Sequence, residues 1–249
     1  MVIRFRFLLR PVAEIWPWGP ERRLHWFGLT DGWYWIEVDG LELLRYAPQM
    51  LQEPDGGGPV VPHPYVDYYV VRLWEDVLES LSSALEPVPD DLAEFMSSDP
   101  RGWVSPDEEQ AVAAAEWYGS HVLDMGYLRC PPRIWWWRRI VNGHDHMTVA
   151  WEHQSGEIEF DAPRTGQATM PTDVFLAAVE ELDRELLGAM EQRVAELERT
   201  GPPPGVQIDM RHLRAEQQDR ATWLQRRRGR KPQTNWAEVR VGASILLGR

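Results

Sequence analysis

Apolar and polar residues alternate from the first positions of the chain. Ile3, Phe5 and Phe7 are separated by Arg4 and Arg6, the two-residue period of a strand with one buried face. Further on, WYWIEV and LELLRY flank Asp39-Gly40. A two-residue Asp-Gly link between such runs predicts a tight hairpin, because both turn residues accept positive φ. In its first strand Trp33 and Trp35 share one face and Tyr34 and Ile36 the other, so the strand should be covered on both sides. The stretch PQMLQEPDGGGPVVPHP (48–64) reads as a connector, since its prolines and glycines sustain neither regular structure. The period then changes. From Tyr68 to Leu85 the apolar positions Val70, Leu73, Val77, Leu81 and Leu85 recur every three or four residues, which predicts a helix. Ser105-Pro106-Asp107-Glu108 reads as the capped start of another, with Ala111, Ala115, Tyr118, Val122 and Met125 on its inner face.

RIWWWRRIV and MTVAWEH are predicted strands joined by NGHDH, and EIEF follows after a glycine turn, giving an antiparallel meander. Pro171 and Asp173 introduce a long helix with Phe175, Leu182, Leu186, Met190, Val194 and Leu197 at helical spacing, ending before TGPPPG. Two further helices are expected near 209–228 and 235–247. Strands grouped with helices, without regular alternation, predict an α+β fold: an N-terminal strand and hairpin and a second antiparallel meander, packed with several helices. The length of 249 residues suits a single domain spanning 1–249, or two intimate halves, 1–126 and 127–249.

Composition bears on source and compartment. Lys231 is the only lysine among 26 basic residues and asparagine occurs only at Asn142 and Asn235, usage that suggests a GC-rich bacterial genome. The opening MVIRFRFLLRP has arginines spaced through it and no long apolar run. Neither a signal peptide nor a transmembrane span is expected, and the chain reads as cytoplasmic with no membrane partner. The single cysteine, Cys130, forms no internal disulfide and agrees with a reducing compartment. CPPR carries no nucleophile signature that would recruit His121 or His144 as a base, so the thiol is expected to be buried and inert.

The net charge of −13 disfavours attraction to nucleic acid or anionic lipid, and its distribution says more. Residues 67–124 carry −12, whereas 205–249 carry +6, including RRRGRK at 226–231. Arg226, Arg227, Arg228, Arg230 and Lys231 would meet phosphates if free. Cations near a helix C-terminus also meet the helix dipole, and acidic helices of the same chain offer them partners, so nucleic acid is not expected.

Candidate chemistry is sparse. GGG at 56–58 precedes Pro59 and lacks the Lys-Ser/Thr partner of a phosphate-cradling loop, so nucleotide hydrolysis is not expected. The pairs Asp90-Asp91, Glu108-Glu109 and Glu180-Glu181 sit in predicted helices or helix entries, where solvated faces account for them. His144, Asp145 and His146 come nearest to a metal motif, since alternate strand residues point the same way. Glu152 and His153 fall at the far end of the next strand, no third ligand converges, and no metal or cofactor is assigned. Trp135, Trp136 and Trp137 must alternate faces on a strand, so they cannot all line one cage and most aromatic rings are expected in the core. Trp18 and Trp26, flanked by turn residues, are the better candidates for a ligand pocket, with His25 and Asp31 at its rim.

HWFGLTDGWYW, together with YYVVRLWEDVLESLSSALEPVPDDLAEF, resembles a family of uncharacterised bacterial proteins catalogued as a domain of unknown function. The resemblance runs over most of the chain and implies no activity for particular residues. The leading expectation is a non-catalytic cytoplasmic binding protein, immunity-like or regulatory, whose acidic helices engage a basic macromolecular partner. Glu75, Asp76, Glu79, Asp90, Asp91 and Glu94 would carry that contact. The alternative is an enzyme or small-ligand receptor with a Trp-lined pocket at Trp18, His25, Trp26 and Asp31.

Overall fold

The structure, a computed structural model, describes residues 1–51, 63–104, 108–154 and 156–249. Strand β1 (Ile3–Leu9) pairs antiparallel with β2 (Asp31–Val38), Ile3 opposite Val38 and Leu9 opposite Gly32. The hairpin turns as expected through Asp39 (φ 49°) and Gly40 (φ 84°) into β3 (Leu41–Glu42). Its second strand is shorter than LELLRY, because Arg45 N bonds back to Glu42 O at 3.3 Å and Leu43 and Leu44 enter the core. Strand β4 (Val66–Tyr69) pairs with the other end of β2, Asp31 opposite Tyr69. Tyr34, Ile36 and Val38 are fully buried. On the opposite face His63 stacks on Trp33 at 4.2 Å and Tyr65 on Trp35 at 3.9 Å, so β2 is covered on both sides.

Helix α1 (Val70–Ala84) begins two residues later than its apolar period, because Tyr68 and Tyr69 are still paired with β2. A short helix α2 (Ala93–Met96) and then α3 (Glu109–Gly119) follow. Ser105-Pro106-Asp107, and residues 52–62 of the connector, lie outside the described residues. Glu108 caps α3 without a side-chain hydrogen bond. The inner face of α3 is Ala111, Ala114 and Tyr118. Val122 and Met125 lie past its end at Gly119, where Val122 bridges to Trp135.

The meander consists of β5 (Arg133–Val141), β6 (His144–Glu152) and β7 (Thr165–Pro171). Its first turn is the two-residue Asn142-Gly143, with φ of 52° and 76°, so the histidines open β6 instead of sitting in a loop. EIEF is not the third strand: Phe160 makes an isolated bridge to Tyr46, and TGQATMP pairs with β6. Helix α4 (Thr172–Thr200) continues directly from β7. The stretch expected as one helix over 209–228 is α5 (Met210–Arg220) and α6 (Trp223–Arg228), and α7 (Trp236–Leu246) comes last. The antiparallel strands and helices make an α+β fold.

Two apolar clusters share β5. Trp136 joins Phe5 and Phe175 in edge-to-face contacts of 5.2–6.4 Å, tying both sheets to α4 in a cluster that draws on both halves of the chain. Trp135 and Trp137 point the other way, into a second cluster with α2, α3 and α7. All three rings are buried, so strand alternation settles them as core. Helices α3 and α7 meet at Gly242, where a Cβ would lie 2.0 Å from Gln110 O and 2.6 Å from Ala114 Cβ. Among the described residues no helix is long and apolar enough to cross a membrane.

Candidate functional site: the cleft beside α1

Arg72, Asp76, Glu79 and Ser83 follow one another at steps of four, three and four residues, which places them on one face of α1 beside its apolar stripe. Helix α6 and the chain following α3 enclose this face in a cavity of 680 Å³. Arg72, Glu75, Asp76 and Glu79 line it from α1, Asp124 from beyond α3, and Trp223 and Arg227 from α6. Its volume falls within the range of small-ligand sites, roughly 300–1,000 Å³.

The charges in this cleft are unevenly matched. Arg72 is shared by Glu75 at 3.4 Å, Asp76 at 3.5 Å and Asp124 at 3.9 Å. Glu75 has a second partner in Arg220 at 2.6 Å, and Glu79 pairs with Arg227. Asp76 is 7 % exposed, and its Oδ2 is buried with no hydrogen-bond partner among the described residues. Burial pushes the Asp76 carboxyl up to about 7; Arg72 and the Tyr127 hydroxyl pull it down, while Asp124 and Glu75 push it further up. The Tyr34 hydroxyl donates to that of Tyr127 at 3.1 Å, and burial keeps both phenols protonated. His121, buried after α3, has its Nδ1 2.9 Å from Trp117 O, and desolvation lowers its pKa to about 4. The cleft therefore offers a carboxyl that ionises near neutrality among serine hydroxyls and paired charges.

A buried arginine fastens the C-terminal segment beside the cleft. Arg220, 8 % exposed, lies over Trp26 at 4.4 Å and Trp223 at 4.8 Å, with Trp74 at 5.9 Å. Trp74 and Trp223 stack at 5.4 Å. Desolvated cation–π contacts of this kind contribute about 2 kcal/mol or more.

Of the six acidic residues expected to meet a partner, Glu75, Asp76 and Glu79 line the cleft. Asp90, Asp91 and Glu94 lie around α2, where Arg139, Arg240 and Arg249 pair with them one to one. The basic C-terminal segment thus reaches the acidic helices through Arg220, Arg227, Arg240 and Arg249.

Of the four expected pocket residues, Trp18 and His25 meet, whereas Trp26 and Asp31 are taken up elsewhere. Trp18, 42 % exposed, packs edge-on against His25 at 4.5 Å and donates from Nε1 to the Tyr69 hydroxyl at 2.7 Å. Trp26 is not at a rim: it is fully buried under Arg220 and donates to Gln217 Oε1 at 2.7 Å. Asp31 pairs with Arg10 at 3.2 Å on β2. His25 lines a separate cavity of 520 Å³ with Asp209 and His212. Cys130 is half-buried rather than buried. The rings of His144 and His146 are 6.0 Å apart, and Asp145 is taken up by Arg138 and Thr172. Among the described residues, no three His, Cys, Asp or Glu are placed to hold a metal ion.

Sequence reasoning missed Arg72, Asp124 and Trp223 as parts of the cleft, and Tyr127 behind Asp76. The polar stripe 72, 76, 79 and 83 was a readable signal for Arg72. Asp124 and Tyr127 follow α3 in irregular chain, where no period announces which way a side chain faces. No curated protein and no solved structure matches the chain. The profile of the Family of unknown function (DUF5984) matches residues 4–242, nearly the whole length, and the chain belongs to that family.

Proposed function

We propose that this is a non-catalytic binding protein, bacterial and cytoplasmic, immunity-like or regulatory in kind, that engages a basic macromolecular partner at the cleft between α1 and α6. One observation carries the reading: here Glu75 and Glu79 have Arg220 and Arg227, but Asp76 and Asp124 have only the one guanidinium of Arg72 between them, whereas Asp90, Asp91 and Glu94 are matched one to one. Unmatched carboxylate steers a basic partner and raises its association rate, and half-buried Trp223 at the edge supplies an aromatic anchor. The test is capture from native lysate at low salt with the wild type and with the double variant Glu79→Arg/Asp124→Arg, both changes lying on exposed side chains. A basic, stoichiometric partner retained by the wild type and lost by the variant is expected. Recovery of none, or equal retention by both, overturns the reading.

A second reading, a small-ligand receptor, draws on the aromatic group Trp18, His25, Phe27 and Tyr69, whose neighbouring rings lie 4.5–6.2 Å apart. Its test is a metabolite screen by tryptophan fluorescence and thermal shift on the wild type and Trp18→Ala. The absence of any response lost in the variant removes it.

A further inference from the structure

We propose that the free edge of β7 is the interface of a homodimer, pairing antiparallel with β7 of a second copy about a twofold axis at Gln167. No residue of β7 lines the cleft, so the inference goes beyond the binding reading above. β7 pairs with β6 along one side, and among the described residues no strand covers the other. His153 N donates to Arg164 O at 2.7 Å, which fixes the alternation of the ladder. Gly166, Ala168 and Met170 turn their backbone groups to β6, and Thr165, Gln167 and Thr169 turn theirs outward. The 3.0 Å contact between the Thr148 and Thr169 hydroxyls agrees, since side chains come closest at the pairs that exchange no backbone bonds. Among the described residues the outward N–H and C=O groups of Thr165, Gln167 and Thr169 have no partner. The other long edges are managed. On β5 the outer edge bonds to Val88, His121 and Leu123, and β1 carries Arg4 and Arg6. Thr165–Met170 has neither cover nor charge, and an edge of that kind is a template for another strand.

The edge is complementary to itself in one register. With Gln167 opposite Gln167 and Thr165 opposite Thr169, every outward N–H of one copy meets an outward C=O of the other, and the reverse. Pro163 and Pro171 then face each other and end the ladder, since neither has an N–H. Moving the axis by one residue either way would call on a proline carbonyl. That of Pro163 already accepts from Trp151 Nε1 at 3.1 Å, and that of Pro171, the N-cap of α4, is engaged by the helix. Charge favours the same arrangement. Arg164 and Asp173 are exposed at opposite ends of β7 and have no ion-pair partner among the described residues. Arg164 shares the parity of Ala168 and Met170, which are buried on the side that α4 covers. Antiparallel pairing brings Arg164 of each copy beside the first turn of α4 in the other, where Asp173 lies, and symmetry makes the contact twice.

The experiment follows the full chain by sedimentation and light scattering over a range of concentrations. Pairing along one strand is a small interface, so a dissociation constant of about 10–100 µM is expected. As the dimer fills, amide exchange read residue by residue slows at Thr165, Gln167 and Thr169, while Gly166, Ala168 and Met170 are protected at every concentration. Gln167→Lys and Gln167→Glu each set like charges opposite one another and weaken the dimer at least about tenfold, and mixing the two variants restores it. In a Cys130→Ser chain, Gln167→Cys cross-links to itself on oxidation, its Cα atoms about 5.5 Å apart, whereas Thr165→Cys and Thr169→Cys cross-link with each other and not with themselves. All three positions are exposed, so the variants keep the fold. A wild type that stays monomeric to about 1 mM overturns the proposal, whether its edge remains free or takes a strand from another protein. A dimer that Gln167→Lys leaves intact, or that cross-links in another register, overturns it equally.

Discussion

The basic C-terminal segment meets the acidic helices at two places held by different forces. At α5 and α6, Arg220 is buried against three tryptophans and donates to Glu75. At α7, Arg240 and Arg249 reach Asp91 and Glu94 across exposed surface, and the helix is held by Val239, Gly242, Ala243 and Leu246 instead. A single complementarity in the sequence, +6 against −12, is therefore carried by one buried pair at one end and by apolar packing at the other. Exposed ion pairs gain little because water screens them and long side chains lose freedom. They select which surfaces meet; burial decides how firmly.

The comparison breaks first at Arg220. Arg220→Ala removes the cation–π contacts and leaves half-buried Glu75 with a more distant partner, so a loss of about 3–5 kcal/mol is expected in denaturant unfolding. Arg220→Lys should recover only part of it, since an ammonium lacks the planar face that stacks on the rings. A loss below about 1 kcal/mol would mean that the buried pair holds no more firmly than an exposed one.

The apolar end is tested at Gly242. In Gly242→Ala the added Cβ meets backbone at 2.0 Å, so α7 must move away from α3, at a cost of about 3 kcal/mol. Hydrogen exchange should quicken in α3 and α7 while α1 and α4 keep their protection. Uniform quickening would show that the two clusters open together.

These two anchors differ in how far they could be read beforehand. The apolar periods of α1 and α4, the alternation of Trp135, Trp136 and Trp137, and the Asp39-Gly40 turn were legible because each is a local rule of backbone geometry. Strand β7 was not, since TGQATMP has little apolar content and is a strand because β6 supplies its partner. The docking of the basic segment was legible as charge, but the box around Arg220 was not. Trp26, Trp74 and Trp223 are far apart in sequence and meet only through the fold. Likewise Glu75, Asp76 and Glu79 could be picked out as acidic, while the distinction that matters, one carboxyl buried and under-paired between two paired ones, depends on α6 and on Asp124.

A smaller effect is expected at Asp76. Its folded pKa is about 7 against an ordinary 3.8, so the folded chain binds the extra proton between those values. The stabilisation from holding that proton is fully present below the ordinary value and is lost as pH rises through about 7. Asp76→Asn, which cannot ionise, should therefore gain on the wild type between about pH 4 and about pH 8, by about 4 kcal/mol at most, the value for the full shift, and by about 2 kcal/mol where partial exposure and Arg72 screen the charge. Parallel unfolding curves for the two proteins over that span would show that Arg72 fully compensates the buried charge.

The smallest effect is expected at Arg226, Arg227 and Arg228, which pair with Asp219, Glu79 and Glu180. None of the three is buried as deeply as Arg220, and α6 contains no buried residue. Replacing all three with glutamine should leave global unfolding almost unchanged and loosen α6, seen as faster proteolytic release of the C-terminal segment. The wild type should bind a labelled DNA duplex negligibly even at low salt, because the neighbouring carboxylates already occupy these arginines and repel phosphate. Tight wild-type duplex binding that falls steeply with salt and vanishes in the glutamine variant would reverse the assignment. The exposed arginines would then serve nucleic acid, and Arg220 alone would hold this end of the segment in place.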